Sequence, residues 1–166
     1  MLERKYLAHY VDAAFDLEGK ETNYVRLGEH LTELSVEMNP NVETSSNILG
    51  ETTATLNGYE VSASVDTFHI SHDEALSEKL MEIIDNELTG DAVRTTVVDV
   101  WLKPGETPDA APVVVKAIRR EVVVAVQSYG GDTSGVQIPF SLSGATNRTK
   151  GTFDLETKKF TASSGL

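Results

Sequence analysis

The chain reads as a mainly β protein with one α-helix, the helix flanking a sheet. Three observations predict this. A single stretch, Ser71 to Gly90, carries apolar residues at helical spacing, with Leu76, Leu80, Ile83, Ile84 and Leu88 forming one stripe. Nearly everything around it alternates at the period of a strand, as in Tyr59, Val61, Ala63 and Val65 against Glu60, Ser62, Ser64 and Asp66. Asn57-Gly58, between Thr52–Leu56 and Tyr59–Ile70, supplies the two positive-φ positions of a type I′ hairpin turn. One amphipathic helix among strands needs a sheet to cover, and its apolar stripe is expected to be core packing.

Taken in order, the elements follow from local chemistry. Tyr6 to Phe15 fits an alternating strand, and Leu2, Tyr6, Tyr10 and Ala13 equally fit a helix; the Tyr, Val and Phe content favours strand. Asp16 to Glu21, with Gly19, is a turn, and a short run over Thr22–Leu27 ends at Gly28. Leu34, Val36 and Met38 alternate with Ser35 and Glu37 as a half-buried strand, which Asn39-Pro40-Asn41 ends. Asn39 to Glu51 is then expected to be a long polar loop, and a loop of that length in a compact domain is usually functional or mobile. Ser71 and Glu74 have the spacing of a capping box, Asp73 and Glu74 suit the positive end of the helix dipole, and Gly90 is the expected helix stop.

After Gly90 the strand pattern returns. Val93–Leu102 places Val98, Val100 and Leu102 on one face, and 103–112 is a loop by composition. Val113–Tyr129 is a long strand or bent pair, with a bulge or a crossing between sheets expected at Arg119-Arg120-Glu121. Residues 130–135 read as a flexible hairpin loop, and Pro139 within Val136–Leu142 marks an edge or bulge. Phe153–Leu155, the turn Glu156–Lys159 and Phe160–Ala162 make a closing hairpin, followed by a loose tail over 163–166.

With 166 residues and a 40% hydrophobic fraction, the chain suits one domain spanning 1–166. It has no cysteine, which removes disulfides, thiolate nucleophiles and zinc–thiolate sites. No apolar run is long enough for a membrane span and no signal peptide opens the sequence, so a cytoplasmic site of synthesis is expected. The formal net charge is −12, unevenly placed: residues 1–91 hold 19 acids and 5 bases, residues 92–166 hold 7 acids and 9 bases. Such a chain is poorly suited to gripping nucleic acid. The balance serves solubility, or it lets opposite ends meet in head-to-tail self-assembly.

Chemistry is sparse. No phosphate loop, nucleophile elbow, dinucleotide fingerprint or zinc-protease motif occurs, and no cofactor is expected. His69 and His72 with Asp73 straddle a strand end and a helix start, and read as capping or surface residues before metal ligands. Asp132-Thr133-Ser134 reads as a turn, and Glu78 and Glu82 as the solvent face of the helix, with Lys79 as a weak partner. Arg119-Arg120 points to both faces of a sheet, for a cross-sheet ion pair or a subunit contact. No catalytic set assembles, so no enzyme is expected.

Three segments together carry a resemblance: Y-L-A-H-Y-V-D-A-A-F near the start, Y-V-R-L-G-E-H-L-T-E-L-S-V-E-M-N-P-N-V-E-T-S-S-N-I-L-G-E, and N-G-Y-E-V-S-A-S-V-D leading into the acidic helix. In these the chain resembles the major tail tube proteins of long-tailed bacteriophages and phage-tail-like particles, over most of residues 6–90; residues 91–166 match in strand pattern only. The resemblance implies a β-sandwich or barrel-forming tail tube fold, self-association into a ring hexamer and a stacked tube, and passage of DNA without specific binding. It further implies tail terminator, tape measure and baseplate proteins as partners, no membrane, and a place in the virion tail after synthesis in the bacterial host cytoplasm. Loops 39–51 and 103–112 become the expected inter-subunit elements, with Asn39, Pro40, Asn41, Glu43, Asn47, Glu51, Lys103 and Glu106 as interface residues. The alternative is a β-sandwich binding module of a tail, baseplate or adhesion assembly.

Overall fold

The computed structural model describes residues 1–28, 31, 33–104 and 114–163, with the backbone alone at 145 and 146. In chain order the elements are β1 (Leu7–Asp12), β2 (Tyr24–Leu27), β3 (Val36–Glu37), β4 (Pro40–Ser46), β5 (Thr52–Tyr59), β6 (Ser62–Val65), α1 (Ala75–Asn86), β7 (Arg94–Trp101), β8 (Val114–Val126), β9 (Gly130–Asp132), β10 (Gly135–Gln137), β11 (Phe140–Asp154) and β12 (Lys159–Ala162). The main sheet runs β2-β1-β7-β8-β11-β6-β3, with β12 also paired to β11. Every pairing in it is antiparallel, and the sheet curls into a half-barrel. Among the described residues the chain is thus mostly β with one α-helix.

The central strands are buried on both faces, which requires apolar residues at successive positions instead of strict alternation. Val11, Val97, Val122, Val124, Phe140 and Leu142 pack on one face against Leu76, Leu80 and Ile83 of α1. Their neighbours Tyr10 and Val98, with Val100, Val115, Ala117 and Phe153, build a second cluster on the other face. There the Tyr10 and Phe153 rings lie 4.7 Å apart, and Tyr24 meets Phe153 edge-on at 5.6 Å. The Tyr24 hydroxyl shares a 2.8 Å hydrogen bond with Thr96 Oγ1, which satisfies both groups in the core. Val98, Val100 and Leu102 share this face, as their spacing predicts.

The first segment is strand, over Leu7–Asp12. At its end the buried Asp12 organises the turn that follows. Oδ1 accepts from the N–H groups of Ala14 (3.0 Å) and Asn23 (2.9 Å), Oδ2 from Asp16 (3.0 Å), and the carbonyl from Thr95 Oγ1 (2.6 Å). Removing the carboxylate strands three backbone donors in a poorly hydrated place. Asp12→Ala is therefore expected to lose roughly 3 kcal/mol in urea unfolding, and a loss below ~1 kcal/mol would mean that water replaces the carboxylate without penalty.

The helix differs from expectation at both ends. It begins at Ala75, and the Ser71–Glu74 capping box does not form: Glu74 is the N-cap without a side-chain bond to the helix backbone. The hydroxyl of the fully buried Ser77 replaces it, accepting from the Ser71 N–H (3.2 Å) and donating to Glu74 Oε2 (3.3 Å). At the other end Glu87, not Gly90, closes the helix, in the left-handed conformation (φ 47°). Its N–H bonds the Ile84 carbonyl and the Leu88 N–H the Ile83 carbonyl, a Schellman closure that folds Leu88 back against the core. Of the predicted stripe, Leu76, Leu80 and Ile83 are buried, while Ile84 and Leu88 pack at its half-buried margin.

The irregularity expected at Arg119-Arg120-Glu121 lies in the partner strand. β8 runs unbroken, and the register of β11 shifts between Gly144 and Arg148, opposite Glu121. There the outer neighbour of β11 changes from β6 to β12, so the extra residues fall on the strand that changes partners. Gly144 is required, because a Cβ would run into the carbonyl oxygen of Val61. Arg119 and Arg120 do point to opposite faces. Arg119 lies 5.9 Å from the Phe160 ring centroid and donates to the Leu17 carbonyl at 3.4 Å, and Arg120 faces the helix side.

The run Leu34–Met38 shrinks to the two-residue β3, with Leu34 buried and Met38 exposed. Residues 130–137 are a tight β9–β10 hairpin instead of a flexible loop. Pro139 sits in the break between β10 and β11, its carbonyl accepting from the Gln127 N–H at 2.9 Å. The closing hairpin β11–β12 forms as predicted. Residues 164–166 of the tail lie outside the described residues.

Candidate assembly interface

The segment expected as a loop over 39–51 is half of a β-hairpin arm. β4 and β5 pair only with each other, from Pro40↔Tyr59 to Ser46↔Thr52. Asn57-Gly58 does not make the turn. Neither residue has a positive φ, and both lie within β5. The chain reverses at 47–50 instead, where Asn47 Oδ1 accepts from the N–H groups of Leu49 (2.9 Å) and Glu51 (3.1 Å) and Gly50 adopts φ 81°. Asn47 Nδ2 also donates to Glu51 Oε2 at 2.8 Å. An Asx turn at Asn47, with glycine in the left-handed region, supplies locally what Asn57-Gly58 would have supplied ten residues later.

Asn57 has become the extra residue of a bulge: Gly58 opposes Asn41 and Leu56 opposes Val42. The bulge matters for the surface. Residues directly opposite share a face, so Pro40, Val42 and Thr44 lie with Tyr59, Leu56 and Ala54, while Asn41, Glu43 and Ser45 lie with Gly58, Thr55 and Thr53. Without the extra residue Tyr59 would fall on the polar side. The arm therefore has one apolar and one polar face, and among the described residues nothing covers either. Val42 is 56% exposed, Leu56 48% and Tyr59 55%, and Ile48 and Leu49 at the tip are more exposed still. At the base, Asn39 (φ 45°) donates through Nδ2 to the Glu60 carbonyl (2.9 Å) and Ser62 Oγ (3.1 Å), anchoring the arm to β6.

Of the predicted interface residues, the structure brings Asn39, Pro40, Asn41, Glu43, Asn47 and Glu51 onto this arm, all exposed. Lys103 is exposed after β7, away from the arm, and Glu106 lies outside the described residues. The sheet is open along β2, and along β3 and β12 at its other side, among the described residues. Unpaired edges of this kind are templates for further strands.

Sequence reading also missed a buried polar pair that spans two strands. His9, 4% exposed, sits opposite Asp99 in register, with Nδ1 2.6 Å from Asp99 Oδ1. Nδ1–H donates to the carboxylate when the ring is neutral. His9 and Arg120 both line a cavity of about 30 Å³, and His9 Nε2 and Arg120 Nε are buried without a hydrogen-bond partner among the described residues. His9 and Asp99 are ninety positions apart, so only the β1–β7 register reveals the pair.

The other polar groups are local. Asp132 accepts from the Ser134 hydroxyl (2.5 Å) and N–H (2.8 Å), which holds its carboxyl below the usual range; the triplet is a turn. His69 bridges β10 at Gln137. Among the described residues no three His, Asp or Glu side chains converge on a metal position, and no helix is long and apolar enough to cross a membrane. Glu78 and Glu82 are solvent-facing, with Lys79 Nζ 3.3 Å from Glu82 Oε2 and 5.1 Å from the Phe15 ring centroid. Replacing both glutamates with Gln is expected to shift stability by no more than ~0.5 kcal/mol in thermal unfolding and to leave assembly intact. Loss of assembly with folding preserved would make this helix face an interface.

No family model and no curated protein matches the chain. Six chains of solved structures do. One belongs to the sheath–tube complex of an extracellular contractile injection system, PVC, in its extended state, seen by cryo-electron microscopy; the TM-score is 0.49 at 6% identity, over 93% of this chain and 92% of that one.

Proposed function

We propose that this chain is a structural subunit of a tail-type tube, acting by self-association and without catalysis. The observation that carries the reading is the β4–β5 arm. A two-stranded hairpin is marginal in water on its own, yet this one exposes Val42, Leu56 and Tyr59 on one face with no cover from its own chain. Each is already about half covered, so burying the remainder against a neighbour is worth roughly 1 kcal/mol apiece. The open edges of the half-barrel give a second reason to associate, since closing a barrel between subunits removes them.

In this reading six copies form a ring and rings stack into a conduit for DNA. A surplus of acid, −12 overall, keeps phosphate from sticking to the wall. Asn39, Pro40, Asn41, Glu43, Asn47 and Glu51 on the arm, with Lys103 and Glu106, contribute to contacts between subunits. Tail terminator, tape measure and baseplate proteins are the partners at the ends, and the product resides in the particle. Negative-stain microscopy of the purified chain tests this directly. Rings or tubes with a central hole are expected. A strictly monomeric sample at high concentration would overturn the proposal and favour a β-sandwich binding module.

A further inference from the structure

The helix-side face of the sheet is covered over only part of its length. α1 packs over the end formed by Val11, Val97, Val124 and Phe140. Towards the other end the registers Asp99↔Ile118, Ile118↔Lys150 and Lys116↔Thr152 put side chains of β7, β8 and β11 on the same face without the helix above them. They line a groove of about 820 Å³ that includes Trp101, Val114, Lys116, Ile118 and Lys150. Trp101 is 60% and Val114 53% exposed, a large apolar area for a sheet face. Among the described residues the only acid in the lining is Asp99, whose carboxylate is already bonded to His9, so their charge is basic within a strongly acidic protein.

The arm has the complementary character. It carries Glu43 and Glu51, and no Lys or Arg occurs between Arg26 and Lys79. Its Val42–Leu56–Tyr59 face needs an apolar cover, and no residue of it lines the groove in its own chain. We infer that the groove bounded by Trp101, Val114, Lys116 and Lys150 is the receptor for the β4–β5 arm of a second copy of this chain. The inference rests on the assembly reading and names the surface through which it acts. The apolar face of the arm lies on Trp101 and Val114, while Lys116 and Lys150, on flexible stems, reach carboxylates at its edge. Arm and groove are different surfaces, so the contact is head-to-tail and propagates.

The absence of cysteine makes the test clean. Full-length chain carrying both Thr44→Cys, on the apolar face of the arm, and Lys116→Cys, assembled and then oxidised, should give a ladder of multimers on a non-reducing gel, and each single variant should not. Independently, the exposed pair Lys116→Glu with Lys150→Glu should raise the protein concentration needed for assembly on the order of tenfold at low salt, with the fold preserved by circular dichroism. Adding Glu43→Lys with Glu51→Lys should restore it. If wild-type tubes form but the ladder is absent and the charge reversal has no effect, the receptor assignment is overturned while the assembly reading stands. If wild-type chain forms no particle at all, both fall.

Discussion

Replacing Leu80 with Asp is expected to unfold the subunit. Leu80 has no exposed surface and sits where α1 meets Val97, Val122 and Phe140. An aspartate there is either a charge without a partner or a protonated carboxyl in a site shaped for a branched apolar chain. Either way the loss exceeds about 4 kcal/mol, against a total stability on the order of 5–15 kcal/mol for a domain. Far-ultraviolet circular dichroism and solubility report it, and a cooperative melt within a few degrees of wild type would show that the helix is not core. Ile84→Asp is the informative contrast. Ile84 is only half-buried at the stripe's margin, so its carboxylate can turn to water, and roughly 1–3 kcal/mol is expected.

The second large effect separates folding from assembly. Pro40 and Tyr59 are opposed Cα partners at the base of the arm, so residues 41–58 can be replaced by Asn-Gly, which closes a two-residue hairpin. Every residue removed is exposed or half-exposed, and none belongs to either core cluster. The shortened chain should melt within about 1 kcal/mol of the full one, since surface changes away from the core cost little. It should no longer form rings or tubes by microscopy or sedimentation. A shortened chain that assembles like wild type would remove the arm from the interface and take the receptor groove with it. A chain that fails to fold would show that the arm stabilises its own subunit.

Much of the fold was legible because its signals are local. The spacing of Leu76, Leu80 and Ile83 reports a helix face whatever lies beneath it. The runs in β1, β7 and β8 likewise report burial through their own side chains, and the closing hairpin follows from its turn. The interface candidates on 39–51 were reached through their polarity, but as a loop. They are strand because Val42–Ser46 finds a partner in Thr52–Leu56, and the pairing satisfies backbone groups that a free loop would leave to water.

The features that went unread all depend on which residue faces which. Two turn-forming sequences competed for one hairpin, and the Asn47 turn with Gly50 prevailed. Asn57 was absorbed as a bulge that keeps Tyr59 beside Leu56. Ser77 displaced a correctly spaced capping box because its buried hydroxyl lies within reach of both Ser71 and Glu74. His9 met Asp99, and the basic groove gathered Lys116 and Lys150, through strand register. Hydrophobic period and turn chemistry are properties of a few adjacent residues, and so the linear chain already determines helix, strands and charge. Register, bulge placement and the juxtaposition of distant charges minimise free energy over the whole sheet at once, and only the folded chain decides them.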